Sequence, residues 1–101
     1  MDGVTKNQQK RIETRVGALF KIRMWEDRER GEIWIPLYDP TAFILVDDDY
    51  EETSTYNAGM RVLEFEALKM GQYEIAFEKR LGWKFTAENR KGFLVHVEEQ
   101  D

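Results

Sequence analysis

The chain contains no cysteine and only one histidine, His96, among its 101 residues. Without cysteine, no disulfide supports the fold and no thiolate acts as a nucleophile or metal ligand. The lone histidine, with no Gly-x-Ser-x-Gly elbow, excludes a Ser-His or Cys-His relay and a multi-histidine metal site. Phosphate-binding and dinucleotide-binding glycine motifs are also absent. We therefore predict that the protein is not an enzyme and holds no cofactor or metal, and that His96 is a hydrogen-bonded surface imidazole.

Long hydrophobic runs are missing as well. No apolar run approaches the roughly eighteen residues that span a bilayer, and the polar N-terminus lacks the apolar core of a signal peptide. The net charge is −5, and an acidic chain binds the phosphate backbone of nucleic acids poorly. These features predict neither a membrane nor a nucleic-acid partner, and they favour a soluble, cytoplasmic protein.

The length and composition predict one small folded domain. Hydrophobic residues make up 42% of the chain and aromatic residues 13%, which is well above the level typical of disorder. We expect residues 1–10 to be a flexible N-terminal segment and residues 11–98 to form a single domain, which we predict to be a monomer.

Apolar residues alternate with polar ones in several short runs. Alternation with a period of two indicates strands that have one face on a core and the other in water. Trp34, in a further run, is predicted to be a core residue. The alternating apolar positions are Phe20, Ile22 and Met24; Leu63 and Phe65; Tyr73, Ile75 and Phe77; and Phe93, Val95 and Val97.

Polar segments and a proline separate these runs. The charged segment from Glu26 to Gly31 and the acidic segment from Asp47 to Glu52 are both predicted to be solvated loops. Pro36 has no N–H to donate and predicts an edge strand. The segment from Lys79 to Gly92 is longer than a hairpin needs, and it carries Trp83.

Six to eight short strands with frequent turn signals are typical of an all-β, immunoglobulin-like β-sandwich. This architecture gathers its connecting loops at the two ends of the sandwich. Three connections, at Glu26 to Gly31, Thr53 to Met60 and Lys79 to Gly92, are therefore predicted to form one surface.

The order of motifs from Val16 to Val97 resembles that of the chagasin family, which are immunoglobulin-like inhibitors of papain-type cysteine proteases. The resemblance is strongest in the last forty residues or so. The segments that carry it are Val16 to Ile22, Gly31 with Trp34, Asn57-Ala58-Gly59-Met60, the corner Phe65-Glu66-Ala67-Leu68-Lys69-Met70-Gly71, Arg80-Leu81-Gly82-Trp83 and Gly92 to Val97.

The resemblance implies an inhibitor that occludes the active-site cleft of a papain-like cysteine protease with three loops. This sequence departs from the family in the inserting loop, which keeps only Gly31, and in the last loop, where Gly82 replaces a proline. The implied contact residues are Asp27, Arg28, Glu29, Arg30 and Gly31 in the inserting loop, Asn57, Ala58, Gly59 and Met60 in the glycine-rich loop, and Arg80, Leu81, Gly82 and Trp83 in the last loop.

Other interpretations stay open at this stage. The scaffold could serve as a non-inhibitory binding or assembly module with reassigned loops, pairing through an edge strand such as Ile33 to Leu37 or Arg11 to Val16. An inhibitor retargeted to another protein is a third possibility. Trp83 is either an anchor for the partner or a side chain folded onto the sheet, and the charged loop is either a recognition loop or a plain solvated hairpin.

Overall fold

The computed structural model describes residues 10–52, 58–81 and 89–100. Among these residues there are seven β-strands, one short 3₁₀ turn and no α-helix, which confirms the all-β prediction. No helix in this part of the chain is long and apolar enough to cross a membrane. The strands are β1 (Lys10–Arg15), β2 (Leu19–Asp27), β3 (Glu32–Leu37), β4 (Phe43–Glu52), β5 (Ala58–Ala67), β6 (Gly71–Leu81) and β7 (Asn89–Glu98), and the 3₁₀ turn is Arg28–Arg30.

The strands form two sheets that pack face to face. One sheet has the order β1-β7-β6-β3 and the other has the order β2-β5-β4. β1 runs parallel to β7, and the other paired strands are antiparallel. The links from β1 to β2, from β2 to β3, from β3 to β4 and from β5 to β6 cross from one sheet to the other, as in an immunoglobulin-like sandwich.

The core lies between the sheets and contains most of the predicted inward-facing positions, while the predicted Phe20 and Tyr73 are only partly buried against it. Trp34 is buried, as its place in an apolar run predicted. Aromatic rings pack edge to face in the core: the Phe43 and Tyr73 centroids, from different sheets, are 5.4 Å apart, and the Phe77 and Phe93 centroids, from neighbouring strands of one sheet, are 5.7 Å apart. The buried core residues are Ile22, Met24, Trp34, Ala42, Phe43, Leu63, Phe65, Ala67, Ile75, Phe77, Phe93, Val95 and Val97.

Two segments that were predicted to be loops belong largely to strands. The acidic run from Asp47 to Glu52 is the second half of β4, not a loop. β4 is an edge strand, where charged side chains stay in water and discourage pairing with another chain. The predicted excursion from Lys79 to Gly92 is also too long, because β6 continues to Leu81 and β7 begins at Asn89. Pro36 lies on β3, which is an edge strand as predicted.

Candidate functional site

Three connections of the sandwich leave and re-enter the sheets at the same end. The register places Asp27, the last residue of β2, opposite Ala58 at the start of β5. Gly59 pairs with Glu52 at the end of β4, and Leu81 at the end of β6 pairs with Glu32. We call this end, where the links from β2 to β3, β4 to β5 and β6 to β7 begin and end, the loop end.

The 3₁₀ turn at the loop end is shaped by its own flanking residues. The Asp27 carboxylate caps the turn, accepting hydrogen bonds from the backbone N–H groups of Glu29 at 3.1 Å and Arg30 at 3.4 Å. Gly31 closes the turn with a φ of 80°, a left-handed conformation that glycine adopts without steric cost. Its N–H donates to the Arg28 carbonyl at 3.1 Å. The turn is thus locally defined before any partner binds.

Both arginines of the turn are tied back to buried carboxylates. The Arg28 Nε lies 2.8 Å from Glu26 Oε1, and its guanidinium stacks over the Tyr50 ring at 3.7 Å from the centroid. Arg30 lies 3.4 Å from Glu32 Oε2, which Lys79 also approaches at 3.5 Å. The prediction of a solvated loop holds for the exposed residues Arg28 to Arg30 and is wrong for Glu26. Glu26 is completely buried at the end of β2, because it has partners for its charge.

An ionic cluster of Glu26, Asp48 and Arg61 lies directly beneath the turn, with Glu26 and Arg61 buried and Asp48 exposed at its edge; we call it the Arg61 cluster. Arg61 donates to both oxygens of Asp48, at 2.6 and 2.9 Å, in a bidentate pair. Its Nη1 donates to Glu26 Oε2 at 2.8 Å and to the Trp34 carbonyl at 3.0 Å. The Trp34 N–H also donates to Glu26 Oε2, at 2.8 Å. The cluster therefore joins β2, β3, β4 and β5 across the two sheets.

The alternation of inward-facing positions on β2 and β5 indicates that Glu26 and Arg61 are buried. The high charge of the segment from Glu26 to Gly31 points instead to a solvated loop. On β2, Phe20, Ile22 and Met24 face the core, and Glu26 is the next position in the same phase. On β5, Arg61 continues the inward phase of Phe65 and Leu63 in the same way. A charged residue in phase with core positions indicates a buried ion pair.

The remaining predicted contact residues divide into four groups. Gly59 is buried and Met60 is half-buried, both in β5 rather than in a loop. Arg80 lies in β6 and its Nη2 is 3.0 Å from Glu78 Oε1. Leu81 is only 5% exposed, so its predicted role as a surface contact is wrong: its apolar side chain belongs to the buried interior. Asn57, Gly82 and Trp83, together with the side chain of Ala58, lie outside the described residues.

Asp48 gives the Arg61 cluster a pH dependence. Hydrogen bonds from Arg61 hold the pKa of Asp48 below its ordinary value of 3.8, against the opposing effect of partial burial. The same hydrogen bonds raise the pKa of Arg61, which stays charged throughout. Since the folded-state pKa of Asp48 is depressed, the stability that it contributes is complete above 3.8 and is lost as the pH falls through the lower folded value.

We therefore expect the wild-type protein to lose stability below about pH 4 more steeply than an Asp48→Asn variant, which cannot titrate at this position. The measurement is the urea midpoint of both proteins between about pH 5 and pH 2. Other carboxylates affect both curves, so the readout is the difference between them. Parallel curves would show that Asp48 gains nothing from Arg61.

A second group of titratable residues lies on the outer face of the β1-β7-β6-β3 sheet. Ligand atoms of Glu13, His96 and Glu98 lie within 4.8 Å of one another. His96 Nδ1 is buried and has no hydrogen-bond partner among the described residues, which corrects the prediction of a fully hydrogen-bonded imidazole. A metal-bound histidine needs such a partner to fix its tautomer. The geometry assigns no metal to this group.

The sequence matches a known family over most of its length. The family model "Chagasin family peptidase inhibitor I42" matches residues 13–97. The chain belongs to the chagasin family. This chagasin-family protein is accordingly a peptidase inhibitor rather than an enzyme, and the resemblance inferred from its motifs is confirmed. A search of curated proteins found no match.

Two solved structures share the fold of this chagasin-family protein. The crystal structure of a cysteine protease inhibitor from Entamoeba histolytica matches with a TM-score of 0.80 and 17% identity, over 92% of this chain and 90% of that one. The solution structure of amebosin matches with a TM-score of 0.56 and 17% identity, over 93% of this chain and 91% of that one. At these identities the likeness shows the fold, and it agrees with the predicted sandwich.

Proposed function

We propose that this protein inhibits papain-like cysteine proteases by covering the active-site cleft with the three connections at its loop end. The observation that carries the proposal is the convergence of the three strand-end pairs at one end, with the central turn held by Asp27, Gly31 and the Arg61 cluster. A loop that is ordered before binding loses less conformational entropy when it enters a cleft.

The charges of the turn are compatible with this role. Moving an unpaired charge out of water costs several kcal/mol, which argues against inserting a loop whose charged side chains have no partners into a cleft. Arg28 and Arg30, however, already have carboxylate partners in Glu26 and Glu32. They therefore bring their counter-charges with them, and the desolvation cost on binding is smaller than the sequence alone indicates.

The proposal is tested by titrating papain and a cathepsin-type protease with this protein, following a fluorogenic substrate. We expect stoichiometric loss of activity. Trp83→Ala, chosen on the family resemblance alone, should weaken inhibition by about 2 kcal/mol, or about thirtyfold, while thermal stability stays unchanged.

Trp25→Ala is the matched control, because it removes the same kind of side chain from an exposed position, 57% accessible, on the outer face of the β2-β5-β4 sheet. If both variants weaken inhibition equally, the protease contact is not confined to the three connections. No inhibition by the wild-type protein at micromolar concentration would contradict the proposal. Dimer formation in sedimentation would then favour assembly through β3, where Ile33, Ile35 and Leu37 are exposed.

A further inference from the structure

The three charged side chains of the 3₁₀ turn differ in their availability to a partner. Arg28 and Arg30 are held by Glu26 and Glu32, as described above. Glu29 lies between them, is exposed, and has no side-chain partner among the residues that the structure describes. Its backbone N–H donates to the Asp27 carboxylate at 3.1 Å. Within the described part of the chain, the turn therefore presents one carboxylate without a partner, at its tip.

The catalytic centre of a papain-like protease offers hydrogen-bond donors. Its histidine is protonated when the cysteine is a thiolate, and its oxyanion hole presents N–H groups to a developing negative charge. An ionised carboxylate only accepts hydrogen bonds, so it is chemically complementary to both. Because the thiolate and the imidazolium form a neutral pair, a carboxylate directed at the donors does not face a net negative site.

We infer that Glu29 is the specificity-determining residue of the turn, and that its carboxylate enters the protease cleft and accepts hydrogen bonds from donors of the catalytic centre. This inference rests on the proposed function. It assigns the two arginines a supporting role: they hold the turn to the Arg61 cluster and to Glu32 while Glu29 makes the contact. A carboxylate in this place favours cleft surfaces rich in donors and disfavours acidic ones.

The test compares binding of papain by the wild-type protein, Glu29→Gln and Glu29→Lys, with association and dissociation rates measured separately. Glu29→Gln keeps the size of the side chain and removes the charge. We expect it to weaken binding about tenfold or more, mainly through faster dissociation, as for a charge pair buried in an interface. Glu29→Lys should weaken binding further. Both variants should unfold at the wild-type temperature, because the side chain is exposed and unpaired.

Glu13→Gln is the matched control, since Glu13 is an exposed glutamate on β1, away from the turn. It removes the same charge and should bind like the wild type. Inhibition by the wild-type protein that is unchanged in Glu29→Gln would overturn this inference and leave the proposed function standing. A loss that is confined to the association rate and disappears at high salt would also overturn it, because a rim charge behaves in that way. If the wild-type protein does not inhibit, both proposals fall together.

Discussion

Replacing Arg61 by methionine is expected to lower the free energy of unfolding by about 3–5 kcal/mol. The Arg61 side chain is 11% exposed and that of Glu26 is 0% exposed, so the change leaves a buried carboxylate with Arg28, whose side chain is largely in water, as its one charged partner among the described residues. Methionine fills much of the same volume, which limits the contribution of an empty cavity. Urea unfolding followed by circular dichroism measures the loss.

Two further variants separate charge from packing in this experiment. Arg23→Met makes the same substitution on the exposed face of β2 and should change stability by less than about 0.5 kcal/mol. Adding Glu26→Gln to Arg61→Met should restore part of the stability, because the buried side chain that Arg61 neutralised then carries no charge. A cost below about 1 kcal/mol for Arg61→Met would mean that water reaches Glu26 in the variant and replaces the arginine.

Gly59→Ala is expected to destabilise the protein by about 1–3 kcal/mol, although it adds only one methyl group. A Cβ at this position would overlap the Glu51 carbonyl oxygen and would lie 2.9 Å from Cζ of Tyr50. The carbonyl belongs to the backbone of β4 and cannot rotate away, so β4 and β5 must separate at the loop end.

Thermal unfolding should show this change as a decrease of about 4–8 °C per kcal/mol for a domain of this size. Met60→Ala is a suitable control, since Met60 is the next residue of β5 and is half-buried on the opposite face. It should have the smaller effect. An unchanged melting temperature for Gly59→Ala would contradict the close approach of the two strands. It would also make the glycine a requirement of partner binding rather than of folding.

Much of the sandwich could be predicted because strand alternation is a local signal. Phe20, Ile22 and Met24 show by their spacing which face of β2 is buried, and the same holds for β5, β6 and β7. Pro36 likewise marked an edge strand. The pairing of β1 with β7 and the assignment of strands to two sheets depend on long-range contacts, so no single segment could predict them.

The loop end was harder to predict because its charges are satisfied by residues distant in the chain. Glu26 pairs with Arg61, which is 35 residues away in sequence, and no local sequence pattern identifies that partner. Composition alone therefore assigned Glu26 to a solvated loop. Extending the inward phase of each strand by two residues would have identified both members of the pair. The acidic half of β4 was predicted to be a loop for a different reason. An edge strand needs few apolar residues to pair with its single neighbour, so its composition does not mark it as a strand.

The 3₁₀ turn is held in place by residues outside its tip, and this has a practical consequence for redesign. The groups that shape it, namely the Asp27 cap, Gly31 and the carboxylates of Glu26 and Glu32, all lie outside its central position. Position 29 can therefore be randomised in a display library without disturbing the scaffold, and each side chain will be presented from nearly the same backbone. The protein is in this respect a ready framework for selecting binders against other clefts, with one tip residue as the variable part.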